Sequence, residues 1–198
     1  MICLMSGLLV NCKNEPKVII TTTNQSKPID RKTQINKALK QELSFYNRKY
    51  LKQTIDYMNL IIRIAEHEYK INAYDLIALI SLESNFKITA RNRNSSSVDS
   101  GLTQQNSCCL KDRFNKVSKL LDKYNLKYNK SNKNDIGLNI LSAAYFLNQI
   151  KTSLIKKNKY SDYRMFAIYN GGGNFSNKIA TKYYKEIVAI KSRLLKNA

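Results

Sequence analysis

NAYDLIALISLESNF, residues 72 to 86, sets one acid into an otherwise apolar helix face. Asn72 is a helix-capping residue with Asp75 three positions on, a variant of the capping box, and the LIALISL run that follows is apolar on nearly every side, as in a buried helix. At about 100° per residue, Leu76, Leu79, Ile80 and Glu83 share one narrow stripe. A carboxylate there costs several kcal/mol unless it is paired or protonated, and the negative end of the helix dipole adds to that cost. Both effects raise the pKa of Glu83 and suit it to act as a general acid. The plainer reading is a glutamate at a helix end that turns toward water.

Bulk properties set the frame around this stretch. The chain has 198 residues and a hydrophobic fraction of 43%, enough for one ordinary domain with a real core plus an extension. With 34 Lys and Arg against 14 Asp and Glu, the net charge of +20 favours an anionic partner: nucleic acid, lipid headgroups or an acidic wall polymer. No C-x-x-C or His/Cys ligand spacing is present, and the lone His67 lies within a helical stretch, so no metal or cofactor is expected.

The first residues, MICLMSGLLVNC, form a short apolar run of signal-peptide length, too short to span a membrane, although no basic residue precedes it. Leu9-Val10-Asn11-Cys12 resembles a bacterial lipoprotein box, with Asn11 in place of the usual small residue, and marks Cys12 as a candidate for lipidation. Residues 1–12 are therefore expected to be a leader. Residues 13–35 are polar and include TTTNQSKP, as a linker or tether would. Residues 36–198 are expected to form one helical domain.

Within that domain, helical periodicity runs from about Asn36 through Leu43, Tyr46, Leu51 and Ile55. A second helix covers about Tyr57 to Tyr69, with Leu60, Ile61, Ile64 and Ala65 inward and Arg63 and Glu66 outward. The polar segment ARNRNSSSVDSGLTQQNSCC shows no sustained period and is too long for an idle connection, so a functional loop with a short helix or hairpin is expected. Helices follow over Asp112 to Tyr124, from Asp135 through IGLNILSAAYFLNQIKTSLI, over Asp162 to Tyr169 and over Lys178 to Leu195. The last carries Ile179, Tyr183, Ile187, Ile190 and Leu194 on one face. No alternation is long enough to build a principal sheet, so the fold class is mainly α.

Four pieces of the chain, in order, are Glu83-Ser84-Asn85-Phe86, Asp99-Ser100-Gly101-Leu102-Thr103-Gln104-Gln105-Asn106, Asn139-Ile140 and Ala167-Ile168-Tyr169-Asn170-Gly171-Gly172. Together they resemble the soluble lytic transglycosylase family with its goose-type-lysozyme-like fold, and most of all its small type that accompanies secretion and conjugation machines. The family pattern is E-S-x-F, D-x-G-L-M-Q-I-N, N-I and A-x-Y-N-x-G. The resemblance spans about residues 57–188. This chain departs from it at Thr103 for Met, at Gln105 for Ile, and in lacking a Cys before Asn139 that could partner Cys108 or Cys109.

The resemblance implies a lysozyme-like helical domain with an active-site cleft and little or no sheet. It implies Glu83 as the single acid/base acting on peptidoglycan: protonating the oxygen between N-acetylmuramic acid and N-acetylglucosamine, then taking the proton of the muramoyl 6-hydroxyl as a 1,6-anhydro ring closes. Gln104 would contact an N-acetyl group or a sugar hydroxyl, Tyr169 would donate to Glu83, and Asn170 would bond an acetamido group. Ser100 and Ser97 are further candidate glycan contacts, while Phe86 and Ile140 are expected to pack. The family's late Y-x-x-x-V element matches Tyr184 with Val188, and Tyr183 with Ile187 equally well. Expected partners are glycan strands, a membrane reached through Cys12, and secretion or conjugation machinery, in the cell envelope.

Other readings stay open at this level. Asp99 is the one nearby candidate for a second acid, which would make the protein a hydrolase using water; its plainer and favoured role is a turn-forming residue ahead of Gly101. A non-catalytic wall-binding or scaffold protein would keep the groove and the charge. Nucleic acid is not expected as a partner, since no recognition motif is present and the aromatic residues are not interleaved with basic ones.

Overall fold

The computed structural model describes residues 30–93, 97–172 and 176–196. Its elements are α1 (Arg31–Phe45), α2 (Lys52–Tyr69), α3 (Ala73–Ser84), β1 (Arg91–Arg93), β2 (Val98–Ser100), β3 (Gln105–Asn106), α4 (Ser107–Lys123), α5 (Ile136–Lys156), α6 (Asp162–Gly171) and α7 (Asn177–Lys196). The fold is mainly α, as the periodicity requires, with one small antiparallel sheet in the order β1-β2-β3. The leader and Cys12 lie outside the described residues, as does most of the polar linker.

Helix α3 is the centre of the bundle. Leu76, Ile77, Ala78, Leu79 and Ile80 are all buried, and the helix touches α1, α2, α5 and α7. A helix apolar all round is stable only when enclosed in this way. Its first turn is capped by Asn72, whose Oδ1 accepts from the Tyr74 amide at 2.8 Å. Asp75 does not close the expected capping box; its carboxylate pairs with Lys191 of α7 instead. Glu66, expected to face outward, is partly buried and joins three helices: it takes Arg31 of α1 and the backbone amide of Ala73 at 3.0 Å.

That contact explains one boundary. Arg31 Nε donates to Glu66 at 2.9 Å, so α1 begins at Arg31, earlier than the periodicity from Asn36 suggests. The long first pattern also divides, because α1 ends at Phe45 with Tyr46 as its C-cap, and Asn47 takes a left-handed φ of 53°. Helix α4 starts at Ser107, where the Asn106 side chain accepts from the Cys108 amide at 3.0 Å. In α7 the inward face is Ala180, Tyr183, Ile187, Ile190 and Leu194; Ile179, counted inward from the sequence, is exposed.

A buried clamp stands behind α3. Glu42 of α1 is 0% exposed and takes Arg193 of α7 at 2.9 and 2.7 Å and the Ser81 hydroxyl of α3 at 2.6 Å. Three helices thus meet on one satisfied carboxylate, which fixes the helix that carries Glu83 against the helix that carries Tyr183.

Candidate active site

Glu83 sits in the last turn of α3, where the chain leaves abruptly. Asn85 and Phe86 both take left-handed φ angles, 49° and 60°; asparagine tolerates this at a helix C-cap, whereas a bulky phenylalanine rarely adopts it. The turn is held from outside: Arg48 donates to the Asn85 carbonyl at 3.0 Å, Tyr50 donates to the Phe86 carbonyl, and the Phe86 ring is fully buried. This bend presents Glu83 at the floor of a groove of about 710 Å³ instead of sealing it inside the bundle.

The opposite wall comes from the polar segment, which folds as β1, β2 and β3. Asp99 pairs with Asn92 and Asn106 in that sheet, and its Oδ1 accepts from Asn106 Nδ2 at 2.9 Å. Gly101 turns the chain with a φ of 81°, and a Cβ there would fall 2.2 Å from Asn139 Nδ2. Only glycine fits both the angle and the approach. Asn139, buried in the first turns of α5, is the latch for this loop: its Oδ1 accepts from the Thr103 amide at 2.9 Å and the Thr103 hydroxyl at 2.8 Å, while Nδ2 reaches the Lys133 carbonyl at 3.0 Å. The Asn-Ile pair is thus a support for the wall, with Ile140 packed in the core.

Glu83, Asp99, Gln104, Gln105, Tyr169 and Asn170 line the same groove, as do Arg113, Phe146, Cys108 and Cys109. Most of the lining is polar, as suits a hydroxyl- and amide-rich ligand. Gln104 stands at the groove with its own amide donating to the Gly101 carbonyl at 2.9 Å, and Asn170 is exposed at the end of α6. Ser100 is not at the surface of the groove: it is buried, at 4% exposure, because the alternation of β2 turns it inward. Ser97 accepts from Asn106 Nδ2 at 2.9 Å and so supports the loop.

Tyr169 corrects a second expectation. Its hydroxyl donates to the Thr103 carbonyl at 2.9 Å and accepts from Gln105 Nε2 at 3.0 Å, so it braces the wall and does not donate to Glu83. The donor to Glu83 is Tyr183 of α7, whose hydroxyl bonds Oε1. Tyr183 is buried and Ile187 lies in the core, whereas Val188 is exposed, so the late tyrosine element is Tyr183 with Ile187. The signal for it was in the sequence, as one of two equal registers.

The electrostatics follow from this placement. Glu83 reaches the groove on one side and is crowded by protein on the others; burial raises its pKa from the ordinary carboxylate value to about 7, the Tyr183 hydrogen bond opposes the rise, and the charge of Asp99 adds to it. A carboxyl group with that pKa holds its proton about half the time at neutrality and can both give and take one. The Tyr183 hydroxyl is itself pushed well above its ordinary value by burial and by Glu83, so it stays a donor.

A family model described as "Transglycosylase SLT domain" matches residues 60–190, a span that contains Glu83, the β-sheet wall, Asn139, Tyr169 and Tyr183. No curated protein and no solved structure matches the chain significantly.

Proposed function

The chain belongs to the transglycosylase SLT domain family, matched over residues 60–190, and from that premise we propose that it is a peptidoglycan lytic transglycosylase with Glu83 as its sole acid/base. The family supports lytic-transglycosylase-type action on peptidoglycan in general. The observation that carries the finer reading is Glu83 itself: a carboxyl group at a groove floor, pKa about 7, with a buried tyrosine on one oxygen.

In this reading a glycan strand lies in the groove with the bond between N-acetylmuramic acid and N-acetylglucosamine above Glu83. The Tyr183 hydroxyl occupies Oε1, which leaves Oε2 to carry the proton. That proton passes to the glycosidic oxygen as the C–O bond breaks and positive charge grows on the muramoyl ring. Glu83, now a carboxylate, takes the proton of the muramoyl 6-hydroxyl as that oxygen attacks the anomeric carbon. The products are a free 4-hydroxyl on N-acetylglucosamine and a 1,6-anhydromuramoyl end, and Glu83 is again protonated. The nucleophile belongs to the substrate, so one carboxyl group suffices. Gln104 and Asn170 are the candidates to hold the acetamido groups.

Asp99 in the same groove favours a second reading, hydrolysis, in which it would activate water. Incubating the protein with sacculi tests the proposal: release of soluble glycan by the wild type and none by Glu83→Gln supports it, and binding without turnover in both selects a wall-binding scaffold. Its substrate calls for export to the cell envelope. The leader and lipidation at Cys12 would provide export and anchoring, and loss of fatty-acid labelling in Cys12→Ser tests the anchor.

A further inference from the structure

The groove holds a cation that the proposed chemistry does not use. Arg113 projects from α4, partly exposed, and lines the groove together with Glu83 and Asn170. Its guanidinium carbon lies 3.8 Å from the centroid of the Phe146 ring, and Nη1 donates to Gln105 Oε1 at 2.9 Å. Gln105 is 1% exposed and is itself fixed, donating from Nε2 to the Thr103 hydroxyl at 3.1 Å and to the Tyr169 hydroxyl at 3.0 Å. Tyr169 packs on Phe146 with ring centroids 5.6 Å apart, which closes the ring of contacts. Positions 103 and 105, where the family pattern carries Met and Ile, are polar in this chain and hold Arg113 in place.

This scaffold holds the guanidinium over the Phe146 ring and engages one of its five N–H groups. Among the described residues no carboxylate forms an ion pair with Arg113. A planar guanidinium fork held 3.8 Å over an aromatic ring centroid, with N–H groups to spare, is preorganised for bidentate recognition of a carboxylate. The sugar backbone of a glycan strand is neutral. Its anions sit on the lactyl arm of the muramoyl residue, as peptide-stem carboxylates or as the lactyl carboxylate where the stem is gone.

We propose that Arg113 is a specificity-determining residue that binds a carboxylate carried on the muramoyl lactyl arm. The inference rests on the peptidoglycan reading above and sharpens it: the groove selects acid-bearing strands over neutral ones. It also gives the polar residues at 103 and 105 a common purpose.

Binding measured in a Glu83→Gln background, where strands are not consumed, separates this inference from the reading it rests on. Three probes of equal length are titrated: a muramoyl glycan with peptide stems, the same glycan with bare lactyl carboxylates, and a neutral N-acetylglucosamine oligomer. Replacing Arg113 with Gln is expected to raise Kd roughly tenfold for at least one acidic probe, the scale of a lost charge-assisted hydrogen bond, and to change the neutral probe less than about twofold. Arg113→Lys, which keeps the charge without the fork, is expected to recover only part of the loss. Which acidic probe responds identifies the carboxylate. Equal weakening of all three probes by Arg113→Gln, with an unchanged unfolding midpoint, would overturn the assignment and leave Arg113 a wall brace; no weakening of any probe would overturn it as well. If the parent binds none of the three, the peptidoglycan reading itself fails and takes this inference with it.

Discussion

The hydroxyl of Tyr183 in α7 donates to Oε1 of Glu83 in α3, joining residues 100 positions apart in the chain. This bond opposes the rise in Glu83 pKa that burial causes, so the tyrosine both orients the acid and tempers it. Tyr183→Phe is therefore expected to move the alkaline limb of the pH–rate profile above pH 7, while lowering kcat roughly ten- to a hundredfold through lost orientation. A pH series of sacculus digestion measures both, and a limb that stays in place would remove Tyr183 from this role.

The raised pKa of Glu83 also makes stability depend on pH. The folded state holds the Glu83 proton up to about pH 7, whereas the unfolded chain releases it near the ordinary value of 4.5. Between those two values the native state binds more protons, so this group's contribution to stability falls as pH rises and levels off above 7. Glu83→Gln abolishes the dependence and is expected to be more stable than wild type above pH 7 by an amount of the order of 3 kcal/mol, the difference closing below about pH 4.5. Denaturant unfolding at several pH values tests the sign, which is opposite to that of an ion-paired carboxylate.

Asp99 raises the Glu83 pKa by its charge, and the proposed mechanism gives it no part in the bond-breaking step. Asp99→Asn is expected to shift the alkaline limb to lower pH and to leave the identity of the cleavage product unchanged. Loss of turnover with no shift of the limb would instead speak for Asp99 as the base of a hydrolase.

Asn139 latches the groove wall through the amide and hydroxyl of Thr103, all of them buried. Truncating it to Ala leaves the Thr103 amide without an acceptor and empties the space beside Gly101, an expected loss of about 2 to 4 kcal/mol. Gly101→Ala attacks the same joint from the other side, because a Cβ would meet Asn139 at a φ of 81°. Thermal unfolding is expected to show both as destabilised, with cleavage lost before the fold.

Much of this was legible in the chain. The apolar run around Glu83 forecast a buried central helix, and four short motifs forecast the groove, because three of them lie at helix ends or turns whose geometry depends on local residue types such as Gly101, and the fourth, Asn139 with Ile140, lies in the first turn of α5. What escaped depends on distant contacts. The early start of α1 rests on Arg31 meeting Glu66, and the choice of Tyr183 over Tyr169 as donor rests on how α7 lies against α3. The strands β1 to β3 are short and polar, so they carry no alternation to detect. Ser100 looked like a loop residue, and only the pairing of β2 turns it inward. Arg113 gave no signal of its own; the two polar residues standing at positions 103 and 105 were the trace it left.

In the proposed reaction one carboxyl group, protonated by its surroundings, cleaves the strand while the substrate supplies the nucleophile. Mass spectrometry of the muramoyl ends released from sacculi by the wild-type protein is the decisive measurement. The expected products are 1,6-anhydromuramoyl ends, lighter by one water than reducing ends, with none released by Glu83→Gln. Reducing ends from the wild type, or anhydro ends still formed by Glu83→Gln, would contradict that reaction.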